Sequence, residues 1–254
     1  MSTPVKTLIG KFVWHENYSN DVEGNKRFYA EVCGWDYETW KPGEADYSMV
    51  KVGDRMHAGF LGVQGGAPPH WLGIVQVEEA DETAKRVESA GGSIKAGPMD
   101  IPDVGRFVVI GDPQGAVLAA MAPEADAQEM PPAEGVFVWD ELGTSDVEDA
   151  KRFYGEIFGW TTEEMDMGPA GTYTIFKRSG DEQVGGAMTK PEGAPHPYWL
   201  TYVSTDDVDG CVERAAKGGG TTIMEPMDVP TVGRLAVVRD PQGAVLGLVR
   251  PERS

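Results

Sequence analysis

Residues that bind metals and residues that carry positive charge are both scarce in this sequence. Its 254 residues include two cysteines and four histidines, and 22 Lys and Arg stand against 41 Asp and Glu, so the formal net charge is -19. Two cysteines at non-equivalent places make neither a disulfide framework nor a four-cysteine metal site. Because Lys and Arg form no cluster, neither nucleic acid nor an anionic membrane surface is an expected partner.

Long apolar segments are missing as well. No run approaches a membrane span in length, and residues 1–10 hold no sustained apolar stretch like that of a signal peptide. The sequence therefore predicts an acidic cytoplasmic protein without a membrane partner. Hydrophobic residues still make up 41% of the chain, and its 33 glycines and 18 prolines are typical of a fold with many short strands and tight turns.

An internal repeat is the strongest feature that is present. Residues 98–118 and 226–246 are identical at 15 of 21 positions, and residues 12–38 resemble residues 137–163. Such self-similarity indicates a duplicated unit. The predicted segments are a first domain in 1–123, a linker rich in Ala, Glu and Pro in 124–135, and a second domain in 136–254.

Each half follows the order of one strand, one helix and three strands twice over. In the first half, residues 11–16 alternate apolar and polar side chains as a strand does, and a helix is expected from Asp21 to Gly34. A second amphipathic helix over 80–90 belongs to the next round. The pattern predicts an α+β fold of four βαβββ modules, in which each helix covers one face of its sheet and the other face can enclose a ligand.

The motifs that recur in both halves resemble those of a known superfamily. They are Asp21-Val22 followed by Arg27-Phe28-Tyr29 and Gly34-Trp35, then Asp112-Pro113-Gln114-Gly115, with counterparts that begin at Asp146 and Asp240. The chain thus resembles the glyoxalase/bleomycin resistance/dioxygenase (vicinal oxygen chelate, VOC) superfamily, and its two-domain layout resembles a glyoxalase-like bacterial subgroup. The resemblance implies two tandem VOC-type domains. It does not decide the activity, since the superfamily includes isomerases, dioxygenases and antibiotic-binding resistance proteins.

The resemblance also implies where a divalent metal would bind, and the residues at those places are not ligands. The corresponding positions are Trp14, Leu72 and Ala119 in the first half and Trp139, Leu200 and Gly247 in the second. None of these side chains offers a lone pair to a metal. The four histidines form no spaced metal motif, so we expect no metal and no cofactor.

A glutamate follows each of the two tryptophans at a spacing of two. Residues two apart on a strand share a face, so Glu16 is expected beside Trp14 and Glu141 beside Trp139. An aromatic plane beside a carboxylate suits a flat ligand that is cationic or donates hydrogen bonds. Strand alternation adds further pocket-lining residues: Leu72, Ile74, Ala119, Met121, Leu200, Tyr202, Gly247 and Val249.

The sequence leaves two interpretations of the pocket residues. The small residues Ala119 and Gly247 are expected to leave room for a ligand where the family has a metal-binding carboxylate. In the alternative interpretation, Trp14 and Trp139 fill the place of the metal as core residues, and the two glutamates reach solvent.

Three functions are compatible with these residues. The first is metal-independent binding of an apolar or aromatic small molecule, such as a natural product or antibiotic, by a protein of the bleomycin-resistance type. The second is a lyase, isomerase or hydroxylase in which Glu16 or Glu141 is a general base with a raised pKa. The third is an interaction protein with vestigial pockets. Because two fused halves already provide a pair, a monomer or a weak homodimer is expected.

Several other polar and aromatic residues are expected to be structural. The expected roles are core packing for Trp71 and Trp199, ion pairs from Arg106 to Asp100 and from Arg234 to Asp228, turns for Asp112 and Asp240, and apolar burial for Cys33 and Cys211.

Overall fold

The fold is seen in a computed structural model that describes residues 8–41, 47–125, 129–168 and 171–252. The start of the first predicted domain and part of the predicted linker lie outside these residues. Within the described ranges, the first half forms β1 (Phe12–Ser19), α1 (Val22–Cys33), β2 (Asp36–Trp40), β3 (Tyr47–Val52), β4 (Arg55–Gly62), β5 (His70–Gln76), α2 (Ala80–Ser89), β6 (Ser93–Ile101), β7 (Gly105–Gly111) and β8 (Val117–Pro123).

The second half repeats this order element by element. Its elements are β9 (Phe137–Thr144), α3 (Val147–Phe158), β10 (Thr161–Asp166), β11 (Thr172–Arg178), β12 (Glu182–Thr189), β13 (Tyr198–Ser204), α4 (Val208–Lys217), β14 (Thr221–Val229), β15 (Gly233–Arg239) and β16 (Val245–Pro251). In the described part of the chain, no helix is long and apolar enough to cross a membrane.

The eight strands of each half form one sheet. The strand order is β2-β3-β4-β1-β5-β8-β7-β6 in the first sheet and β10-β11-β12-β9-β13-β16-β15-β14 in the second. In every module the first strand pairs in parallel with the last. A parallel pair needs a crossover, which the helix and the two intervening strands supply. The predicted α+β fold of four βαβββ modules is therefore confirmed.

By contacts between Cα atoms, the chain divides into two compact units. Of the described residues, unit 1 holds those in Met1–Val13, Gly73–Glu129 and Asp140–Trp199, and unit 2 holds those in Trp14–Leu72, Met130–Trp139 and Leu200–Ser254. Unit 1 thus contains α2 and α3, and unit 2 contains α1 and α4. Each unit draws residues from both sequence halves, and the domain boundaries given above remain a prediction.

The first helix of each half begins and ends as its sequence predicts. Asp21 accepts a hydrogen bond from the backbone N–H of Gly24 at 2.8 Å, and Gly34 follows α1 with a φ of 71°. In α3, Asp146 caps the first turn and Gly159 ends the helix at a φ of 70°. A side-chain cap contributes about 1 kcal/mol, and glycine takes the left-handed conformation without the strain of a Cβ.

Each unit has an apolar core formed between its two helices and their strands. In unit 2, Phe28 and Tyr29 of α1 pack in one cluster with Cys211 and Ala215 of α4. In unit 1, Tyr154 of α3 belongs to a cluster that includes Ala84 and Val87 of α2. The apolar stripes of the helices, spaced three and four residues apart, are buried in these cores.

The aspartate of each Asp-Pro-Gln-Gly turn binds both its own turn and a helix of the other sequence half. One carboxylate oxygen of Asp112 accepts three backbone N–H groups of its own turn, and the other accepts the hydroxyl of Tyr154 at 3.1 Å. Asp240 does the same in its turn, and its second oxygen accepts from Tyr29 at 3.0 Å and from Asn25 at 2.7 Å. The predicted role of these aspartates in turns is confirmed, and the turn of each sequence half also holds the first helix of the other half.

The predicted structural roles of the tryptophans are confirmed as well. Trp71 donates a hydrogen bond to the hydroxyl of Tyr29, and Trp199 donates one to the hydroxyl of Tyr154, both at 2.9 Å. Because the two tyrosines lie on α1 and α3, both indole rings point toward the helices. They are therefore on the face of the sheet opposite to the predicted pocket.

The predicted ion pairs are present, and burial of the cysteines is uneven. Arg106 contacts Asp100 at 2.7 Å and Arg234 contacts Asp228 at 3.1 Å, and each arginine also binds an aspartate of the preceding helix, Asp81 of α2 or Asp209 of α4. Cys211 is buried within α4 as expected. Cys33 is half-buried rather than buried, because it lies in the last turn of α1, and neither thiol forms a disulfide.

Candidate functional site

Strand β1 carries two different faces, and both belong to unit 2 from Trp14 onward. Asn17 accepts a hydrogen bond from Asn25 of α1 at 3.1 Å, so the face with Asn17 is turned toward the helix. Alternation then puts Trp14, Glu16 and Tyr18 together on the opposite face. The predicted pairing of Trp14 with Glu16 on the face away from the helix follows from this geometry.

Hydrogen bonds connect these side chains around the Glu16 carboxylate. Its Oε1 accepts from the hydroxyl of Tyr47 at 3.0 Å, and its Oε2 accepts from the hydroxyl of Tyr18 at 2.7 Å. The indole N–H of Trp14 donates to the oxygen of Tyr47 at 2.8 Å. His70 stacks on the ring of Tyr18 with centroids 4.9 Å apart. We call these five residues, Trp14, Glu16, Tyr18, Tyr47 and His70, the Glu16 cluster.

A glycine in β4 makes room for the tyrosine of this cluster. Gly59 pairs in register with Glu16, and the ring of Tyr47 lies across it. A Cβ at Gly59 would overlap the Tyr47 hydroxyl and lie 2.8 Å from Cε2. Only a residue without a side chain therefore lets Tyr47 cross β4 and reach Glu16.

Burial dominates the electrostatics of the cluster. Glu16 is 9% exposed, and burial raises the pKa of its carboxyl while the hydrogen bonds from Tyr18 and Tyr47 offset part of that rise. Burial and the nearby negative charge of Glu16 also raise the pKa values of the Tyr18 and Tyr47 hydroxyls, so both keep their protons. Among the described residues, no Lys or Arg forms an ion pair with Glu16.

Unit 1 contains a simpler version of this arrangement around Glu141. Tyr173 donates a hydrogen bond to Glu141 Oε2 at 3.1 Å and lies across Gly186, which pairs in register with Glu141. Gly143 stands where the first half has Tyr18, and the ring of Tyr198 fills that space, with Cζ 2.6 Å from where a Cβ would be. We call Glu141, Tyr173 and Tyr198 the Glu141 cluster. Trp139 is assigned to unit 2 and Glu141 to unit 1.

The other predicted pocket residues lie on strands, and all of them are buried except the half-buried Met121. In unit 1, Ile74 pairs with Ala119, and Met121 pairs with Gln76, whose side-chain oxygen has no hydrogen-bond partner within the described residues. In unit 2, the further residues of this set are Leu72, Leu200, Tyr202, which pairs with Gly247, and Val249, which pairs with Ser204. Ligand binding by these residues stays a prediction.

One detail of the predicted pocket is wrong. Gly247 was expected to leave room for a ligand, but the ring of Tyr202 covers it, so that a Cβ at Gly247 would lie 2.5 Å from Cε1. The glycine is needed for the packing of its neighbour on β13. The space that a larger side chain would occupy is already filled by the protein.

Sequence reasoning missed five aromatic residues of the two clusters, namely Tyr18, Tyr47, His70, Tyr173 and Tyr198. A signal for two of them was present, because each Glu-pairing glycine, Gly59 and Gly186, has its tyrosine at an equivalent place in the repeat. Alternation from Glu16 would also have placed Tyr18 on the same face. His70 and Tyr198 could not be found in this way, since they reach the site from a strand distant in sequence.

The residues at the family's metal positions do not fit a divalent metal. Their side chains are an indole, aliphatic groups and a glycine hydrogen, and none has a donor atom with a free lone pair. In the described ranges, no group of three or more His, Cys, Asp or Glu side chains is close enough to hold a metal. The buried His15 and His57 lie against the ring of Phe137, with centroids 4.0 and 5.3 Å away.

Known proteins share both the sequence pattern and the fold. The family model of the Glyoxalase/Bleomycin resistance protein/Dioxygenase superfamily matches residues 13–119 and 137–248. The chain is 32% identical over 246 residues to a protein of Mycobacterium tuberculosis named as the glyoxylase CFP32, with 94% of each chain covered. It is 30% identical over 258 residues to the anthracycline biosynthesis protein DnrV of Streptomyces peucetius, with 94% of this chain and 93% of that protein covered.

Solved structures support the fold alone. The Mn(II)-bound glyoxalase from Novosphingobium aromaticivorans superposes with a TM-score of 0.66 at 15% identity, covering 96% of this chain and 83% of that one. The 2,3-dioxygenase LapB from Pseudomonas sp. KL28 gives 0.64 at 10% identity, covering 97% and 94%. Two repeats match the family model, and relatives that are 30–32% identical cover 94% of the chain. This chain therefore belongs to the glyoxalase/bleomycin resistance protein/dioxygenase superfamily.

Proposed function

We propose that this chain binds an aromatic or apolar small molecule without a metal, as a binding protein of the bleomycin-resistance type. The observation that carries the proposal is the chemistry at the family's metal positions, which hold Trp14 and Leu72 in unit 2 and Ala119 in unit 1. In unit 2, Glu16 adds a buried and hydrogen-bonded carboxyl group. A site without metal donors has no Lewis acid, but its aromatic side chains still offer surface for stacking.

The relatives favour a natural product as the ligand. Two Streptomyces proteins that are 30% identical to this chain are named for anthracycline biosynthesis. An anthracycline is flat and aromatic, which suits the arrangement of Trp14 and the tyrosines. We therefore take polycyclic aromatic compounds as the first ligand class to test.

The test is a titration of the protein, after dialysis against EDTA, with daunorubicin as the probe in isothermal titration calorimetry. We expect binding that is unchanged when Mn²⁺ or Zn²⁺ is added, and recovery of the unaltered compound by mass spectrometry. Trp14→Ala is expected to weaken binding at least about five-fold, since an aromatic pair contributes about 1 kcal/mol beyond its buried area. Ile223→Ala in the edge strand β14, an exposed apolar side chain outside both clusters, is the control. Binding that appears only with metal would overturn the proposal.

An enzymatic function is the second candidate, because burial raises the pKa of Glu16 toward the range of a general base. Under this alternative the protein would convert its ligand, and Glu16→Gln would abolish turnover while binding is retained. Turnover of the hemithioacetal of methylglyoxal and glutathione, or of catechol, measured with and without added Mn²⁺ or Fe²⁺, decides between the two functions. No conversion by the wild-type protein in any of these assays would leave binding as its activity.

A further inference from the structure

The hydrogen-bond acceptors and the negative charge of the Glu16 cluster indicate a narrower class of ligand than aromatic molecules in general. We propose that it binds a protonated amine attached to an aromatic body, with the ammonium group at Glu16 and its two tyrosines. This inference rests on the proposed function, because it assigns a chemical class to the ligand of the same site.

The first argument concerns which groups of the cluster donate hydrogen bonds and which can still accept them. The hydroxyl protons of Tyr18 and Tyr47 are both donated to Glu16, and the indole proton of Trp14 is donated to Tyr47. A phenol oxygen that has donated its proton can only accept, as can the remaining lone pairs of the carboxylate. The cluster therefore offers acceptors to a ligand, which must in turn supply donors.

His70 adds a further acceptor at the edge of the cluster. Its Nδ1 lies 2.7 Å from the backbone carbonyl oxygen of Pro68, and a carbonyl can only accept, so Nδ1 carries a proton. In the neutral ring Nε2 is then an acceptor. Because His70 is stacked on Tyr18, this nitrogen is held next to the tyrosine that binds Glu16.

The second argument is the charge balance of the buried carboxylate. Within the described residues, the only hydrogen bonds to the Glu16 carboxylate come from neutral phenols, and no ion pair to it is found. A buried charge without a counter-charge is unfavourable, so a ligand cation would be stabilised there more strongly than in water. One carboxylate among phenols matches an ammonium group with its three donors, and the faces of aromatic rings attract the same charge. The net charge of -19 attracts cationic ligands over longer distances.

The Glu141 cluster is an internal comparison within the same chain. Gly143 supplies no hydroxyl where Tyr18 stands in the first half, and Tyr198 replaces His70. The acceptor of Tyr18 thus has no equivalent there, and the hydroxyl of Tyr198 can donate as well as accept. Selectivity for an amine is expected to depend on Glu16 and not on Glu141.

The test compares 2-(2-naphthyl)ethylamine with the neutral 2-(2-naphthyl)ethanol by calorimetry at pH 7.5. The wild-type protein is expected to bind the amine about ten-fold or more tightly, as a charge-assisted hydrogen bond allows. Glu16→Gln should remove that preference, whereas Glu141→Gln and the exposed Glu38→Gln should keep it. Melting temperatures near that of the wild type confirm that the variants are folded, and Tyr18→Phe, which keeps the ring, is a second variant expected to reduce the preference.

The outcomes separate this inference from the proposed function. If the alcohol binds as tightly as the amine, or if Glu16→Gln keeps the preference, the amine assignment is wrong while binding of aromatic molecules stands. If neither naphthyl compound nor daunorubicin binds, the proposed function fails and the assignment fails with it.

Discussion

Replacing Gly59 by alanine tests the geometry of the Glu16 cluster directly. The added Cβ would overlap the Tyr47 hydroxyl and lie 2.8 Å from Cε2 of the same ring. Ordinary contacts between carbon atoms begin at about 3.5 Å. The Tyr47 ring must therefore move, and it must give up its hydrogen bonds to Trp14 at 2.8 Å and to Glu16 at 3.0 Å. The bond to the carboxylate contributes about 1.5–3 kcal/mol and the other about 1 kcal/mol.

The two bonds together contribute about 2.5–4 kcal/mol, and alanine is favoured over glycine in a strand by about 0.5–1 kcal/mol, so the expected net loss of stability is about 1.5–3.5 kcal/mol. Urea unfolding followed by tryptophan fluorescence measures the difference. Gly62→Ala in the same strand is the control, because a Cβ there meets nothing within 4 Å, and we expect no loss.

A double-mutant cycle with Tyr47→Ala decides whether the mechanism is right. Once the tyrosine ring is absent, Gly59→Ala should cost nothing or should stabilise the protein slightly, so the two changes are expected to be strongly non-additive. If Gly59→Ala is equally destabilising in the presence and absence of the Tyr47 ring, the close approach of Tyr47 to Gly59 is not its cause, and the reasoning is refuted.

Three further predictions concern the buried polar groups. Burial and the neighbouring His15 lower the pKa of His57 from 6.5 to about 3, so between these values the unfolded chain binds more protons and stability falls as the pH falls. His57→Leu should therefore gain about 2 kcal/mol more at pH 5 than at pH 7.5 by urea unfolding, and an equal gain at both values would contradict the cause. Tyr29→Phe should cost about 1–2 kcal/mol in urea unfolding, since it leaves an oxygen of Asp240 without its hydroxyl donor and the Trp71 N–H without an acceptor; an unchanged midpoint would refute this role. Gln114→Ala should lower the melting temperature in calorimetry by several degrees, because the Gln114 amide accepts from the backbone N–H of Asp146 at 2.7 Å and donates to its carbonyl at 2.8 Å; a shift no larger than that of Gln64→Ala in an exposed loop would argue against it.

The sequence predicted the structural role of a residue correctly where interactions with near neighbours in the chain decide that role. Asp21 and Gly34 mark the two ends of α1, because capping depends on residues three or four positions apart. The pairing of Arg106 with Asp100 follows because the two residues lie on adjacent strands of one hairpin. The alternation of β1 likewise placed Trp14 and Glu16 on one face. The room expected at Gly247 was predicted wrongly, because the ring that fills it comes from Tyr202 on another strand.

The sequence alone determined the duplication, the α+β class with its four modules and the loss of metal-binding side chains, because repeats, periodicity and residue chemistry are local properties. Only the tertiary structure decided which neutral donors surround Glu16, since Tyr47 reaches it across Gly59 from another strand. It also decided that Asp240 binds Tyr29 and Asp112 binds Tyr154, so that the turn of each half holds the first helix of the other. Nearly identical motifs cannot specify which copy of a helix they contact; packing of the two helices into one apolar core selects the partner.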